Sequence, residues 1–146
     1  ARDLAPGRAR GTARRVALTA LDATVLIALL DPADRHHRGA RSALEAHADD
    51  DLRIPAHTLS EALVHPARAG KERDAERLIA GLEIAVDPVD EAIAVAAAKL
   101  RARHGSALRM PDALVLAYAE LRGARSVLTS DARWSAWSRR VELIVG

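Results

Sequence analysis

The chain has 146 residues, enough for one ordinary domain with a substantial core, and 49% of them are hydrophobic against 29% charged, as is typical of globular proteins. Because it contains no cysteine, disulfides, zinc fingers and thiol catalysis are excluded. With one tyrosine, two tryptophans and no phenylalanine, it does not suit a fold that stacks bases on aromatic platforms. We find neither an apolar run of membrane-spanning length nor a signal peptide, so we expect a cytoplasmic protein without membrane contact.

The net charge of +2 is unevenly distributed along the chain. Residues 1–15 carry five arginines against one aspartate, whereas residues 16–146 carry 17 basic and 19 acidic side chains. The body therefore lacks the positive excess of a protein that binds nucleic acid by charge alone, and action on nucleic acid would need acidic groups that recruit cations. We interpret residues 1–15 as a flexible basic arm, a linker or sequence ahead of the true start, and residues 16–146 as one domain.

Apolar runs that suit buried strands alternate with helical patterns along the body of the chain. The predicted elements are a strand at 16–21, helices at 23–30 and 34–48, a strand at 52–55, helices at 58–68 and 71–82, a strand at 83–86, helices at 90–103 and 111–121, a strand at 126–128, a short helix at 132–137 and a strand at 141–145. This order predicts an α/β fold, a single three-layer α/β/α domain around a mainly parallel sheet. Ligands of such sheets bind at the carboxyl ends of the strands, so a site is expected there.

Four acidic residues follow this rule. Asp22 closes the first strand, Glu61 is expected in the first turn of the helix after the second strand, Asp112 lies at a helix start, and Asp131 follows the fourth strand. Each also has a structural explanation: Asp22 and Asp131 can cap helices, and Asp112 faces a helix dipole. Glu61 can close a capping box with Thr58.

Two considerations favour a shared function over capping alone. Asp22 and Asp131 follow strongly apolar segments, so their carboxylates emerge from a buried layer where unpaired charge is costly. Clustered carboxylates repel one another unless they are protonated or neutralised by a cation. Oxygen ligands without cysteine or an obvious histidine pair favour hard divalent ions, Mg²⁺ or Mn²⁺.

The segments LDATVLIALL, LSEAL, MPDALVLAYA and VLTSDARW resemble the four acidic motifs of PIN-domain nucleases, in the family's order and spread over residues 16–146. The compact size is similar to that of VapC-type toxins. The resemblance implies a metal-dependent endoribonuclease, leaving a 3′-hydroxyl and a 5′-phosphate, in which Asp22, Asp112 and Asp131 bind Mg²⁺ or Mn²⁺. Glu61 would ligate the metal through water or position the nucleophile. An RNA substrate, a VapB-like antitoxin and a homodimer are implied as well.

The same resemblance assigns supporting roles. Thr24 matches the hydroxyl residue that orients the first carboxylate, and Thr129 matches the hydroxyl residue two positions before the last acid. Some family members carry a further acid one helical turn after the third, where this chain has Leu116. Binding of a second metal ion is therefore expected to be weaker or absent.

Basic residues near these motifs are candidates for binding RNA phosphates. Arg109 and Arg133 lie beside acidic motif positions and are the stronger candidates, whereas Arg68 and His65 are weaker. A solvated surface position is the structural alternative for each of them. Further arginines considered for this role are Arg73, Arg139 and Arg140.

Two other functions remain open from the sequence. The stretch from Asp22 to Thr24 resembles the aspartyl-nucleophile segment of haloacid-dehalogenase phosphatases, but Thr24 stands where that family needs a second aspartate. That family also needs a lysine before the last acidic motif, and this chain has none there. The second alternative is a PIN-like module that binds RNA or a partner without catalysis, which the presence of Leu116 keeps open.

Overall fold

Strands and helices alternate through residues 16–146, the part of the chain that the computed structural model describes. The interpretation of residues 1–15 as a basic arm lies outside these residues. In chain order, the elements are β1 (Leu18–Leu21), α1 (Ala23–Leu30), α2 (His37–Ala46), β2 (Asp51–Pro55), α3 (Ala56–Arg68), α4 (Glu72–Gly81), β3 (Ala85–Asp87), α5 (Glu91–His104), a 3₁₀ turn (Gly105–Ala107), α6 (Met110–Leu121), β4 (Ser126–Thr129), a 3₁₀ helix (Ala132–Ala136) and β5 (Val141–Leu143).

The strands form a five-stranded sheet in the order β3-β2-β1-β4-β5, and all its neighbouring pairs are parallel. From β1 the chain first builds outward through β2 and β3, then returns to the other side of β1 for β4 and β5. Because the direction of building reverses between β1 and β4, a crevice opens there at the carboxyl ends of the strands. The predicted three-layer α/β/α fold with its mainly parallel sheet is confirmed.

Successive residues of the central strands supply two separate cores. Ala20 and Val127 pack against α5 and α6 on one face of the sheet, whereas Leu21 and Leu128 pack against α1 to α4 on the other. This follows from the alternation of side chains along a strand. Burial of both faces explains why the strands read as continuous apolar runs rather than as an alternating pattern.

The helix that carries Glu61 begins earlier than predicted. Pro55 ends β2 in an extended conformation and serves as the N-cap, so α3 starts at Ala56 rather than at Thr58. Thr58 is therefore the third residue of the helix, and its buried hydroxyl has no hydrogen-bond partner within residues 16–146. The predicted capping box is wrong, and Glu61 lies in the second turn of α3 rather than in the first.

The start of α2 also differs from the prediction. The carboxylates of Asp31 and Asp34 accept hydrogen bonds from the backbone N–H groups of Ala33 and His36, at 2.9 and 2.8 Å. Such local bonds stabilise turns in competition with a helix, so α2 begins only at His37. Within the part of the chain that the structure describes, no helix is long and apolar enough to cross a membrane.

Candidate active site

A cleft of about 400 Å³ opens at the crevice between β1 and β4, and its lining includes all four acids singled out from the sequence. Asp22 follows β1, Glu61 projects from α3, Asp112 lies in the first turn of α6, and Asp131 follows β4. Four elements that are distant in sequence thus bring four carboxylates to one place.

Asp22 is the buried centre of this group, with only 5% of the residue exposed. It is the N-cap of α1, where its Oδ1 accepts a hydrogen bond from the Ala23 N–H at 2.7 Å. Its Oδ2 accepts hydrogen bonds from the hydroxyls of Thr129, at 2.7 Å, and Thr24, at 2.9 Å. Burial raises the pKa of this carboxyl, and these hydrogen bonds offset the rise only in part. Both oxygens of the Asp22 carboxylate are thus held in place by hydrogen bonds.

The two threonine hydroxyls join β1 to the turn after β4. Besides donating to Asp22, the Thr24 hydroxyl accepts a hydrogen bond from the Ser130 N–H, and the Thr129 hydroxyl accepts one from the Asp131 N–H, both at 3.1 Å. Each hydroxyl therefore orients the Asp22 carboxylate and the backbone that carries Asp131 at the same time.

Replacement of Thr129 by valine tests this coupling. The side chain is fully buried and valine has nearly its shape, so Thr129→Val removes the hydroxyl and leaves an oxygen of Asp22 and the N–H of Asp131 with one partner fewer. We expect a loss of about 1–3 kcal/mol in the free energy of unfolding, measured by urea denaturation. In an Asp22→Ala background, where position 22 offers the hydroxyl no side-chain partner, the loss should be smaller. An equal loss in both backgrounds would show that the two side chains are not coupled.

Glu61 and Asp112 are partly buried and face other acids of the cleft. Burial raises the pKa of Asp112 to about 6, with the charges of Asp22, Glu61 and Asp131 adding to the rise and Arg109 opposing it. Burial also raises the pKa of Glu61, and Asp22 adds to this, whereas His57 and Arg109 act against it. The carboxylates are therefore close enough to disfavour one another's charge, which is the electrostatic condition that a cation relieves.

Asp131 differs from the other three acids because an arginine already neutralises it. The Arg133 guanidinium donates to both carboxylate oxygens, with Nε 3.0 Å from Oδ1 and Nη2 2.7 Å from Oδ2. These hydrogen bonds hold the pKa of Asp131 below its usual range. Its Oδ1 also accepts from the Arg133 N–H, so Asp131 caps the 3₁₀ helix. To bind a metal ion, Asp131 would have to leave this ion pair.

The four carboxylates are the kind of ligand that a hard divalent ion prefers, but they do not stand close enough together to coordinate one. Among residues 16–146, no group of three or more Asp, Glu and His side chains stands close enough to hold a metal ion. All four donors are carboxylates, and burial raises the pKa of three of them, Asp22, Glu61 and Asp112. Oxygen donors of this charge fit Mg²⁺ or Mn²⁺ in type. Binding of such an ion would require these side chains to come closer together.

His57, which the sequence suggested only as a surface or capping residue, belongs to this region. Its Nε2 donates a hydrogen bond to the carbonyl oxygen of Pro111 at 2.9 Å, which joins α3 to the start of α6 directly beside Asp112. It also lies one helical turn before Glu61, and its charge lowers the pKa of that carboxyl. The spacing of four residues was visible in the sequence. The contact with Pro111 was not, because 54 positions separate the two residues.

The basic residues predicted to bind RNA divide into two groups. Arg109 and Arg133 line the acidic cleft. His65 and Arg68 lie exposed in the last turn of α3, outside the lining of the cleft. Binding of RNA by any of the four stays a prediction.

A family model for the PIN domain matches residues 19–139, nearly all of the described chain. The chain belongs to the PIN domain family. The resemblance drawn from its four acidic motifs is confirmed, and the match spans all four elements that bring the acids together. No sequence among the curated proteins matches this PIN domain.

Solved structures similar to this chain include proteins of toxin–antitoxin systems. A toxin–antitoxin complex from Klebsiella pneumoniae contains a protein with 25% identity and a TM-score of 0.72, and the match covers 85% of this chain and 95% of that one. VapC20 of Mycobacterium tuberculosis, a toxin that cleaves the sarcin–ricin loop, has 20% identity and a TM-score of 0.67, with 81% and 93% covered. Rickettsia felis VapBC2, bound to a promoter DNA fragment, has 13% identity and a TM-score of 0.71, with 88% and 99% covered.

Proposed function

We propose that this PIN domain is a metal-dependent endoribonuclease and the toxin of a toxin–antitoxin pair. The observation that carries the proposal is the meeting of Asp22, Glu61, Asp112 and Asp131 in one cleft at the carboxyl end of a parallel sheet. The pKa of three of these carboxyls is raised, chiefly by burial, a state that a divalent cation would relieve. The similarity to VapC20 supports RNA as the substrate.

In this proposal, Asp22 and Asp112 would hold the principal Mg²⁺ ion, for which Mn²⁺ can substitute, and Asp131 would contribute to the site if released from Arg133. When bound, the ion would acidify a water molecule and stabilise negative charge on the phosphoryl oxygens. Glu61 would bind the attacking water or accept a proton from it. Its raised pKa makes it a better general base than an ordinary carboxylate.

The other polar residues of the cleft position these groups. Thr24 and Thr129 fix the orientation of the Asp22 carboxylate. Arg109 lines the cleft and binds an RNA phosphate beside the scissile bond. Arg133 offers its guanidinium to a phosphate oxygen once Asp131 has turned toward the metal, since a guanidinium binds phosphate and carboxylate through the same paired donors.

The solved structures that resemble this chain also support a protein partner for it. The matched structures contain toxin–antitoxin complexes, including one from Klebsiella pneumoniae, which supports a VapB-like antitoxin for this chain. A homodimer and a cytoplasmic location stay predictions.

The proposed activity is tested by incubating the purified protein with total RNA in Mg²⁺, in Mn²⁺ and in EDTA, and by mapping the new ends. We expect cleavage with either metal and none in EDTA, with 3′-hydroxyl and 5′-phosphate ends. Ends carrying a 2′,3′-cyclic phosphate would contradict metal-assisted attack by water.

One observation favours the alternative of an RNA- or partner-binding module without catalysis. Asp131 is paired with Arg133, and the acids within residues 16–146 are not gathered into a ligand set. If this arrangement persists in solution, the protein would bind RNA in Mg²⁺ without cutting it. The same incubation, with bound RNA measured beside cleaved RNA, separates the two functions.

The acidic cleft also predicts how stability responds to pH and metal. When folding raises the pKa of a carboxyl group, the folded protein holds that proton more tightly than the unfolded chain does. The group therefore stabilises the fold at a pH below its ordinary pKa, and this stabilisation is lost as the pH rises through the raised pKa. For Asp22, Glu61 and Asp112 that window begins near pH 4, and for Asp112 it extends to about 6. We therefore expect a lower Tm in EDTA at pH 7.5 than at pH 5. Mg²⁺ or Mn²⁺ should raise the Tm at pH 7.5 and have less effect at pH 5, where protons compete with the metal.

His47 adds to the same trend above pH 6.5. Burial disfavours its charge, but the carboxylates of Asp50 and Glu142 outweigh this and raise its pKa. The Asp112→Asn variant separates the two contributions, because it removes the charge with the pKa near 6 and leaves the surroundings of His47 unchanged. If the Tm of the unmodified protein without metal does not fall from pH 5 to pH 7.5, the cleft carboxylates do not destabilise the fold when they ionise, and this prediction is wrong.

A further inference from the structure

A second concave surface, about 670 Å³ in volume, lies at the opposite end of α6 from the acidic cleft and shares no lining residue with it. It is formed by α5, by the second half of α6, by the residue before β4 and by residues 137–140 before β5. We call it the basic groove, after the cationic side chains in its lining: Lys99, Arg103, Arg125, Arg139 and Arg140.

The charge of the basic groove opposes that of the chain around it. Residues 16–146 carry two more acidic than basic side chains, yet the groove contains five cations and one carboxylate, Glu120. Arg125 contacts Asp50 at 3.0 Å, and Arg140 contacts Glu120 at 3.4 Å and also donates to the Ala124 carbonyl. Two of the five cations are thus engaged with partners inside the protein.

The other three cations, Lys99, Arg103 and Arg139, have no carboxylate within 4.0 Å in residues 16–146, and all three are exposed. Lys99 and Arg103 stand four positions apart on α5, where like charges repel across one helical turn. A bound polyanion would offset this repulsion. The charge pattern is complementary to a chain of phosphates.

We propose that the basic groove binds the phosphate backbone of RNA at a distance from the bond that is cut; this inference rests on the proposed ribonuclease function. Four of the five cations are arginines, whose planar guanidinium groups bind phosphate oxygens in pairs. Trp137, half-buried in the same lining, offers part of its ring to a nucleobase.

Two structural elements connect the basic groove to the acidic cleft. Asp112 lies in the first turn of α6 and Glu120 in its last, eight residues apart, which corresponds to about 12 Å along the helix axis. The chain from Asp131 to Arg140 likewise begins at the cleft and ends at the groove. One RNA molecule can therefore contact both surfaces. Because the groove does not contact the scissile phosphate, it contributes to substrate binding rather than to the chemical step.

The test compares two double variants in EDTA, where cleavage does not interfere. Arg103→Ala/Arg139→Ala removes two unpaired cations of the groove, and the control Arg38→Ala/Arg41→Ala removes two exposed arginines of α2, on the other face of the sheet. Binding of a fluorescent single-stranded RNA is followed by anisotropy over a range of salt concentrations. We expect the groove variant alone to bind more weakly, with the salt slope reduced by about 1.4, since each lost phosphate contact contributes about 0.7.

Equal salt slopes for the groove variant and the unmodified protein would overturn the proposal, as would equal losses in the two double variants. Stronger competition by polyglutamate than by unlabelled RNA of equal charge would also overturn it, because the groove would then favour an acidic protein segment. Thermal melts should show the groove variant nearly as stable as the unmodified protein, because both side chains are exposed and the lost repulsion offsets the lost interaction of Arg103 with the end of α5.

Cleavage assays separate this inference from the proposed function. If the protein cuts RNA, the groove variant should show a raised KM with an unchanged kcat. A groove-dependent affinity in a protein that does not cut RNA would support the groove and refute the nuclease. Cleavage with an unchanged KM in the groove variant would refute the groove and leave the nuclease in place.

Discussion

Asp112→Asn is expected to reduce metal-dependent cleavage of RNA by on the order of a thousandfold, because several kcal/mol of charge stabilisation depend on the metal and each 1.4 kcal/mol changes the rate tenfold. Burial raises the pKa of Asp112 to about 6, and the neighbouring carboxylates of Asp22, Glu61 and Asp131 add to this rise. Asparagine keeps the size of the side chain and removes that charge. Single-turnover cleavage in Mg²⁺ measures the effect.

A matched control is available at the start of another helix. Asp74 also lies in the first turn of its helix, α4, but its side chain is 74% exposed and it contacts only Arg77 among the cations of the described chain. Asp74→Asn should therefore cleave RNA at the unmodified rate. Equal cleavage by the Asp112→Asn protein would overturn the assignment of the site, whereas equal losses in both variants would point to a general effect of charge at helix starts.

The location of the cleft followed from the sequence because one rule of α/β folds was sufficient. Apolar runs identified the strands, and the carboxyl ends of parallel strands lie together at one edge of a sheet. Asp22 and Asp131 could thus be expected to meet, although 109 positions separate them in the sequence. The buried apolar runs that made this possible were strong signals, since both faces of the sheet are covered.

The surroundings of the acids were harder to predict because they depend on side-chain rotation and on helix packing. Arg133 is only two residues from Asp131, yet the sequence does not show that the guanidinium turns back to bind both oxygens. The capping box assigned to Glu61 failed because Pro55 allows α3 to begin directly after β2. Helix propensity in the sequence predicts where a helix lies better than it predicts the residue at which the helix begins.

The basic groove shows a different limit of sequence reasoning. Its cations lie on α5, before β4 and before β5, and no local pattern in the sequence unites them. Arg139 and Arg140 could be named as candidates for binding phosphate, but Lys99 and Arg103 were not, because a charged face on a helix ordinarily means a solvated surface. Only the packing of α5 beside α6 brings these residues to one concave surface.

Asp22→Asn should abolish cleavage and, in the absence of metal, stabilise the protein. Burial raises the pKa of Asp22 despite three hydrogen bonds, so at neutral pH the ionised carboxylate is less favourable in the folded chain than in the unfolded one. Asparagine is uncharged and keeps the capping oxygen for the Ala23 N–H, while the hydroxyls of Thr24 and Thr129 can reverse their roles and accept from its amide. We expect a rise of a few degrees in Tm in EDTA at pH 7.5, the shift that about 1 kcal/mol produces in a domain of this size.

The cap at Asp90 provides the comparison for this prediction, because Asp90 likewise caps a helix, through a hydrogen bond from the Ile93 N–H at 3.0 Å, but lies exposed and outside the cleft. Asp90→Asn should leave the Tm and the cleavage rate nearly unchanged, since aspartate and asparagine are similar N-caps. If Asp22→Asn instead lowers the Tm in EDTA, the hydrogen bonds to its carboxylate outweigh the cost of burying the charge. Stabilisation together with loss of the metal-induced rise in Tm would show that Asp22 is retained for metal binding at the expense of stability, a trade-off expected where a buried acid serves function rather than the fold.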